Sequence, residues 1–379
     1  MSGFLQKTFS KDPCNLGRQA ELDLGKAIPI LCLAFVHCVI ECATDEQLLS
    51  GIPYLFDSVI GGPMSGPMWL FCMGATIHYA RDNSPKALAK RGIHLILIGF
   101  LLNICRFFIP YMIGYAVTGD AEQFLVTLPY WVFGNDVLMF AGLAMLCFAF
   151  FRKFNFPKWA MFSIALCFSV IGTLVRGTDL GNDVLNIICG WFFGTVNEAD
   201  CIISDFPLLN WLIIPVCGYI FGWVLQRVKD KNRFYLLVSP IMLVIAGVYL
   251  YFGISNEIGM FGEGQNAYYH MFIYDSFVCM SMTLGLLGIY HFISLILPKP
   301  IKKFVNYTSS NITEFYCIHW VFVRSITNVV LYAINGTQVF PIPWTLLIAL
   351  GIVFATYFCL FVFGKMKARY AARKGKAEA

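Results

Sequence analysis

The sequence predicts an all-α, polytopic membrane protein, and three observations predict it. Of 379 residues, 58% are hydrophobic and 13% charged, against roughly half apolar and a quarter charged in a soluble domain. Mean hydropathy is +0.69. The apolar excess is gathered into long blocks near the ~20 residues that a helix needs to cross a bilayer, and the charges collect in the short stretches between them.

Taken in chain order, residues 1–26 are polar and carry no pattern of a cleavable signal peptide. Ten apolar segments follow, at about 27–44, 66–81, 92–117, 131–151, 158–175, 207–226, 234–253, 271–297, 311–334 and 342–364. A further apolar piece, 184–195 (VLNIICGWFFGT), is too short to cross and is expected to lie at the interface or to re-enter. No Gly/Ser linker or low-complexity block separates the segments, and no internal repeat is evident. The expected organisation is therefore a cytoplasmic N-terminal segment (1–26), a single transmembrane domain (27–364) and a basic cytoplasmic tail (365–379) held near anionic lipid.

Loop charge sets the orientation. Basic residues fill 81–91 (RDNSPKALAKR), 152–158 (RKFNFPK), 226–233 (QRVKDKNR), 298–303 (PKPIKK) and the tail. The alternate loops are acidic or neutral, with Arg176 their only base. The positive-inside rule puts both termini in the cytoplasm, and ten crossings place every loop on the matching side.

Several function classes lack support. The net charge of +5 is accounted for by the basic loops, so no nucleic-acid partner is implied. None of the 14 cysteines forms a C-x-x-C pair, and most lie in apolar runs as small hydrophobes. There is no G-x-x-x-x-G-K-[ST], H-E-x-x-H or G-x-S-x-G motif. No metal and no permanently bound cofactor is expected.

The informative segment is 22–43, LDLGKAIPILCLAFVHCVIECA. Lys26 and His37 are eleven residues apart, three turns plus ~20°, so they share a helix side ~16 Å apart along its axis. Glu41 follows one turn beyond His37. Ionisable groups at membrane depth are costly and mark interior faces, sites or pathways. Histidine suits proton transfer, and a neighbouring carboxylate orients the ring. The competing reading is a histidine that hydrogen-bonds across helices and a lysine that snorkels.

Other polar positions admit two readings each. Arg106, three residues after Asn103, lines a cavity with it or snorkels. Asp136 caps the helix that follows it or faces a cavity. His319 and Arg324 share one segment and mark an interior face or a helix contact. His78, His94 and His291 fall near cytoplasmic ends and read as interfacial. His270 and Asp275 flank an outer helix start and rank low as acceptor contacts.

At this point the chain resembles known enzymes. LDLGKAIPILCLAFVH is similar to the opening helix of integral-membrane acyltransferases of the acyltransferase-3 type, which carry Arg, ten residues, then His. Here Lys26 stands where that family has Arg, and His37 takes the matching place. Later segments (GPMWLFCMGATIHYA, KRGIHLILIGFLLNICR, FGNDVLMFAGLAML, FPLLNWLIIPVCGYIFGWVLQR and SSNITEFYCIHWVF) resemble the branch of the heparan-alpha-glucosaminide N-acetyltransferases and their bacterial relatives. The resemblance covers roughly 20–230 and 305–325. It departs from the family at Lys26, because lysine offers a phosphate a point charge where arginine offers a bidentate fork.

The resemblance implies transfer of an acyl group, acetyl in the first instance, from cytoplasmic acyl-CoA as donor substrate to a hydroxyl or amine. The acceptor would be a sugar or lipid-linked glycan beyond the membrane. Lys26, Lys86, Lys90 and Arg91 would meet the CoA head, His37 would act as base with Glu41 orienting it, and Asn103 or Arg106 would face the thioester oxygen. Asp136, His319 and Arg324 are cavity candidates. The setting implied is a bacterial plasma membrane, with homo-oligomerisation open. A proton-coupled transporter or exporter is the alternative, since intramembrane His, Glu and Arg suit a proton relay equally well. A non-catalytic assembly partner is the third.

The orientation has a direct test. On a cysteine-depleted background in intact cells, a cysteine at position 48 is expected to react with an impermeant thiol reagent and one at position 86 is not. Labelling at 86 with none at 48 would invert the topology.

Overall fold

The computed structural model describes residues 6–197, 204–262 and 266–377. Among the described residues it is all helical, with two isolated bridges (Phe9 with Val228, Thr178 with Thr195) and no strands. The main helices are α1 (Ala20–Cys42), α2 (Gly66–Thr76), α3 (Pro85–Thr118), α4 (Val137–Lys153), α5 (Lys158–Leu174) and α6 (Leu208–Leu225). They continue as α7 (Lys231–Ser255), α8 (Ile273–Ile296), α9 (Lys299–Ser310), α10 (Ile312–Asn335) and α11 (Ile342–Ala377).

Among the described residues, eight helical stretches are long and apolar enough to cross a membrane: α1, α3, the run Ala121–Lys153 that ends in α4, α6, α7 with its following turn, α8, α10 and α11. The other two expected segments are shorter. The 66–81 segment is an 11-residue helix, α2, that tightens into a 3₁₀ turn at Ile77–Tyr79. The 158–175 segment is the 17-residue α5. The stretch 184–195 opens with an eight-residue helix, Asp183–Gly190, capped by the Asn182 side chain. Its end is clipped back by the bridge between Thr178 and Thr195.

Two helices start earlier than apolar pattern alone places them, and polar chemistry explains both. α1 begins at Ala20 because Glu21 and Asp23 occupy its first turn, where carboxylates meet the positive end of the helix dipole. Both are buried and paired. Glu21 accepts from Lys231 Nζ at 2.6 Å and Tyr235 Oη at 3.2 Å. Asp23 accepts from Arg18 Nε at 2.5 Å and Ser309 Oγ at 2.6 Å. α3 begins at Pro85 because Ser84 caps it, accepting from the Ala87 N–H at 3.3 Å, and proline suits a first helical position. The basic stretch 86–91 is therefore helix. Likewise, α11 continues through the basic tail to Ala377.

α1 runs through the middle of the assembly, packed against α2, α8, α9, α10 and α11. α2 lies along α6, where Gly74, Gly218 and Gly222 let the backbones touch. A Cβ at any of the three would run into the facing main chain. Gly92 of α3 and Gly142 of α4 do the same, with a Cβ at Gly92 meeting the Gly142 carbonyl at 2.7 Å. Small residues at crossing points are how helices associate in lipid, where apolar burial gives little drive.

This packing sets a contrast. Gly218→Val forces α2 and α6 apart and is expected to cost at least the ~1–3 kcal/mol of an overpacked core. Gly247→Val on α7, where nothing lies within 4 Å of a new Cβ, is expected to leave the melting temperature of the detergent-purified protein within a degree or so of wild type, well inside the ~2–4 °C that 1 kcal/mol moves a large domain. Equal melting temperatures for the two variants would remove the close contact from the stability of the fold.

Candidate functional site

Three elements meet at the end of α1 away from the basic loops. α1 supplies His37 and Glu41. α10 packs against both α1 and a π-helical turn of α3, and supplies Tyr316, His319, Trp320, Arg324 and Asn328. The π turn, Ile104–Phe108, carries Arg106. It has a local cause: Pro110 has no N–H for the Arg106 carbonyl four residues back, and the helix widens there. A second π turn, Ser325–Leu331, follows Arg324 directly. π turns recur at functional sites because they re-aim side chains from an otherwise regular helix.

Two buried ion pairs tie the elements together. Arg324 Nη1 donates to Glu41 Oε2 at 2.7 Å, with both side chains about one-tenth exposed. Asn328 Nδ2 donates to the same oxygen at 2.9 Å. Arg106 Nη2 lies 2.6 Å from Asp136 Oδ2, which also accepts from Tyr316 Oη at 3.0 Å. Asp136 Oδ1 accepts from the Leu138 N–H at 2.6 Å and caps α4. Asn103 completes this cluster. Its Oδ1 accepts from Arg106 Nε at 3.1 Å and Nη2 at 2.8 Å, while its amide donates to the Val132 and Gly134 carbonyls at 3.1 and 3.4 Å.

Aromatic rings fill the space between the pairs. The Trp320 indole lies against the His37 imidazole with centroids 3.8 Å apart and planes tilted by 32°, and His319 faces His37 at 5.6 Å with planes 20° apart. The guanidinium carbons of Arg106 and Arg324 lie 4.9 and 5.3 Å from the Trp320 ring. They lie 4.5 and 4.8 Å from the Phe107 ring. The aromatic faces thus hold two cations close to two imidazoles, at distances where cation–π attraction offsets part of their desolvation.

Four buried nitrogens in this cluster have no hydrogen-bond partner: His37 Nε2, His319 Nε2, Trp320 Nε1 and Arg324 Nε. A buried donor or acceptor left unmade costs ~1–3 kcal/mol, and such groups are few in native proteins. Four of them fall on neighbouring side chains around Trp320, where another molecule could meet them. His319 Nδ1 lies 3.0 Å from the Phe315 carbonyl, which can only accept. Nδ1 therefore carries the proton, and Nε2 of the neutral ring presents a lone pair. The arrangement sets the His319 lone pair and a second imidazole, His37, beside two unspent N–H donors.

The expected residues divide between this site and elsewhere. His37, Glu41, Asn103, Arg106, Asp136, His319 and Arg324 come together. Glu41 is spent on Arg324 and Asn328, and no hydrogen bond joins it to His37 among the described residues. Asn103 and Arg106 direct their donors to protein partners, so the unspent donors belong to Arg324 and Trp320. Asp136 is both a helix cap and an ion-pair partner. Lys26 lies ~16 Å back along α1 and contacts Asp23 Oδ1 at 3.6 Å. Lys90 and Arg91 are exposed on α3, whose main packing partner is α4.

Sequence reasoning passed over Tyr316, Trp320, Asn328 and Asp205. The first three fall at four-residue steps from Tyr316 through Trp320 and Arg324 to Asn328, a spacing that puts them on one side of α10. Asp205 precedes α6, its backbone N–H bonding to the Asn135 carbonyl at 3.0 Å. Burial pushes its carboxyl up to about 7, against the pull of Arg106. Among the described residues, no three His, Cys, Asp or Glu side chains cluster to hold a metal.

Breaking one side of a buried pair leaves an uncompensated charge worth ~3–5 kcal/mol. Glu41→Gln and Arg324→Gln are each expected to lower the melting temperature of the purified protein, and the double variant to lose clearly less than the two losses added. Additive losses would show that the pair is not coupled.

A family model described as an acyltransferase domain, that of the acyltransferase-3 type, matches residues 19–364. No curated protein and no solved structure matches the chain.

Proposed function

The chain belongs to the acyltransferase-3 family of membrane acyltransferases, and on that footing we propose that it moves an acetyl or similar acyl group from acyl-CoA to a sugar hydroxyl or amine across the membrane. The observation that carries the reading is the set of four unpartnered nitrogens around Trp320. The acceptor's O–H or N–H gives its proton to His37 Nε2 as its heteroatom attacks the thioester carbonyl. Negative charge grows on the carbonyl oxygen, where Arg324 Nε–H and Trp320 Nε1–H supply donors that cost no rearrangement. The tetrahedral species then expels the CoA thiolate, which takes the proton back from the imidazolium. His319 supports the second imidazole position, and Glu41 fixes the guanidinium of Arg324 by charge and hydrogen bond.

The donor's phosphates would lie at the basic end of α1, near Lys26 and the α3 bases Lys90 and Arg91. The thioester would reach along α1, a route consistent with the ~16 Å between Lys26 and His37. The acceptor would approach from the opposite side, where α1 ends. On this reading the donor would be in the cytoplasm and the acceptor, a surface or lipid-linked glycan, outside a bacterial plasma membrane. The segment likenesses to the heparan-alpha-glucosaminide N-acetyltransferase branch support a sugar acceptor.

The test is transfer from labelled acetyl-CoA, with and without candidate sugars, by monodisperse purified protein. His37→Ala is expected to lower turnover by the ~10²–10⁴ of losing a general base. His37→Gln should fall nearly as far, since an amide keeps a hydrogen bond but takes no proton. Near-wild-type turnover in His37→Gln would remove the catalytic role. Flux driven by a pH gradient in liposomes, with no acyl-CoA consumed, would favour a proton-coupled transporter instead.

A further inference from the structure

A second cluster of unsatisfied groups lies at the other end of the molecule, where the basic loops gather. Arg152 ends α4, Lys158 opens α5 and Arg227 follows α6. Lys158 Nζ and the Arg227 guanidinium sit over the same Trp223 ring, at 4.5 and 4.1 Å. Arg152 lies within electrostatic reach of Lys158 and donates to Tyr219 Oη at 3.3 Å. That tyrosine in turn lies against His78, with ring centroids 4.2 Å apart. Among the described residues none of the three cations reaches a carboxylate. Two other partly buried lysines on this face, Lys26 and Lys231, each do. Buried Arg152 Nε and His78 Nε2 have no hydrogen-bond partner. The first turn of α5 adds the positive end of a 17-residue helix.

Lys158 is also the polar rim of an apolar groove. A cavity of about 580 Å³ runs from it between α5, α6, α7 and α8, lined by Phe162, Ile220, Phe221, Met242, Met280 and Leu284. That is within the ~300–1,000 Å³ of ligand pockets. Trp159 and Phe277, also in its wall, are exposed on the lateral surface of the helix assembly. The groove therefore opens sideways, toward the acyl chains of a bilayer. Three unneutralised cations over an apolar slot of this kind match one chemistry: a phosphate carrying a hydrocarbon chain.

We propose that Arg152, Lys158 and Arg227, with the groove between α5 and α8, form a binding site for an anionic phospholipid of the leaflet on the basic-loop side. The phosphate sits on the cations and the α5 N-terminus, and one acyl chain fills the groove. The site is distinct from the residues around Trp320 and does not depend on the reaction they perform. Its role is to anchor the basic face and to hold α5, too short to span by itself, against the bundle.

The experiment uses full-length protein in detergent, followed by native mass spectrometry and thermal melts. Phosphatidylglycerol is expected to remain bound as a single adduct and to raise the melting temperature. Phosphatidylcholine and inorganic phosphate are expected to do neither. Lys158→Gln/Arg227→Gln should weaken phosphatidylglycerol retention at least tenfold while leaving acetyl transfer at the wild-type rate in detergent. A chain-labelled photoactivatable phosphatidylglycerol, applied to the wild-type protein, should cross-link to α5 or α8 near Phe162, Met280 and Leu284, so the result does not hang on the variant's folding. Equal retention of phosphatidylcholine, or cross-links only elsewhere, would overturn the site. Protection by inorganic phosphate equal to that by the lipid would reduce it to a free-anion site and overturn the lipid assignment.

Discussion

The pairing of Arg324 with Glu41 is the interaction on which the site depends. It joins α10 to the last turn of α1 at 2.7 Å in a place where both side chains are about nine-tenths buried. A lone guanidinium there would be far costlier than a pair with additional hydrogen bonds, and Asn328 supplies one of those. With α10 held against α1, Trp320 meets His37 and His319 meets both. The Arg106–Asp136 pair fixes the third wall in the same way, since one carboxylate caps α4, neutralises Arg106 and receives Tyr316. The two pairs hold α1, α3, α4 and α10 in register around one indole.

The contrast between satisfied and unsatisfied groups separates scaffold from chemistry. Glu41, Asn103, Arg106 and Asp136 each engage protein partners. Nε2 of His37 and His319, Nε1 of Trp320 and Nε of Arg324 engage none. The protein bears the cost of four unmade hydrogen bonds on neighbouring side chains here, whereas the buried carboxylates Glu21 and Asp23 are paired. A transition state that brings a proton to an imidazole and charge to an oxygen would use those capacities at the moment they are needed.

Much of this was legible in the sequence. Apolar blocks located α1, α3, α6, α7, α8, α10 and α11, because period and length are local properties. The His37–Glu41 stripe and the His319–Arg324 pair were visible because ionisable residues stand out in apolar runs. What stayed hidden was non-local. The i, i+4 spacing suggested that Glu41 serves His37, yet the carboxylate finds Arg324, 283 residues away in sequence. Trp320 reads as one more aromatic among many until α1 and α10 are brought together. The π turn at 104–108 aims Arg106 inward, and only its downstream Pro110 hints at it. Helix starts at Ala20 and Pro85 were set by buried carboxylates and a serine cap rather than by hydropathy, which is why the apolar pattern began each of them late.

Depth along α1 links the site to the geometry of a membrane. Starting at Ala20, α1 places His37 ~26 Å from its first residue and within two turns of its last, so the imidazoles lie toward the face opposite the basic loops. A donor with a charged head and a long flexible arm suits that distance: its phosphates can stay with cations at one face while its reactive end reaches the other. A short, fully charged donor does not suit it, since it would have to carry its charge through the apolar middle of the bundle at the cost of desolvating it. Lys26 stands on the same side of α1 as His37, but it already has Asp23 within 3.6 Å. The carboxylate there is shared by Arg18 and Ser309 as well, which leaves Lys26 the most weakly held member of that cluster. A point charge on a flexible stem, held this loosely, turns from its carboxylate at lower cost than an arginine locked in a bidentate pair.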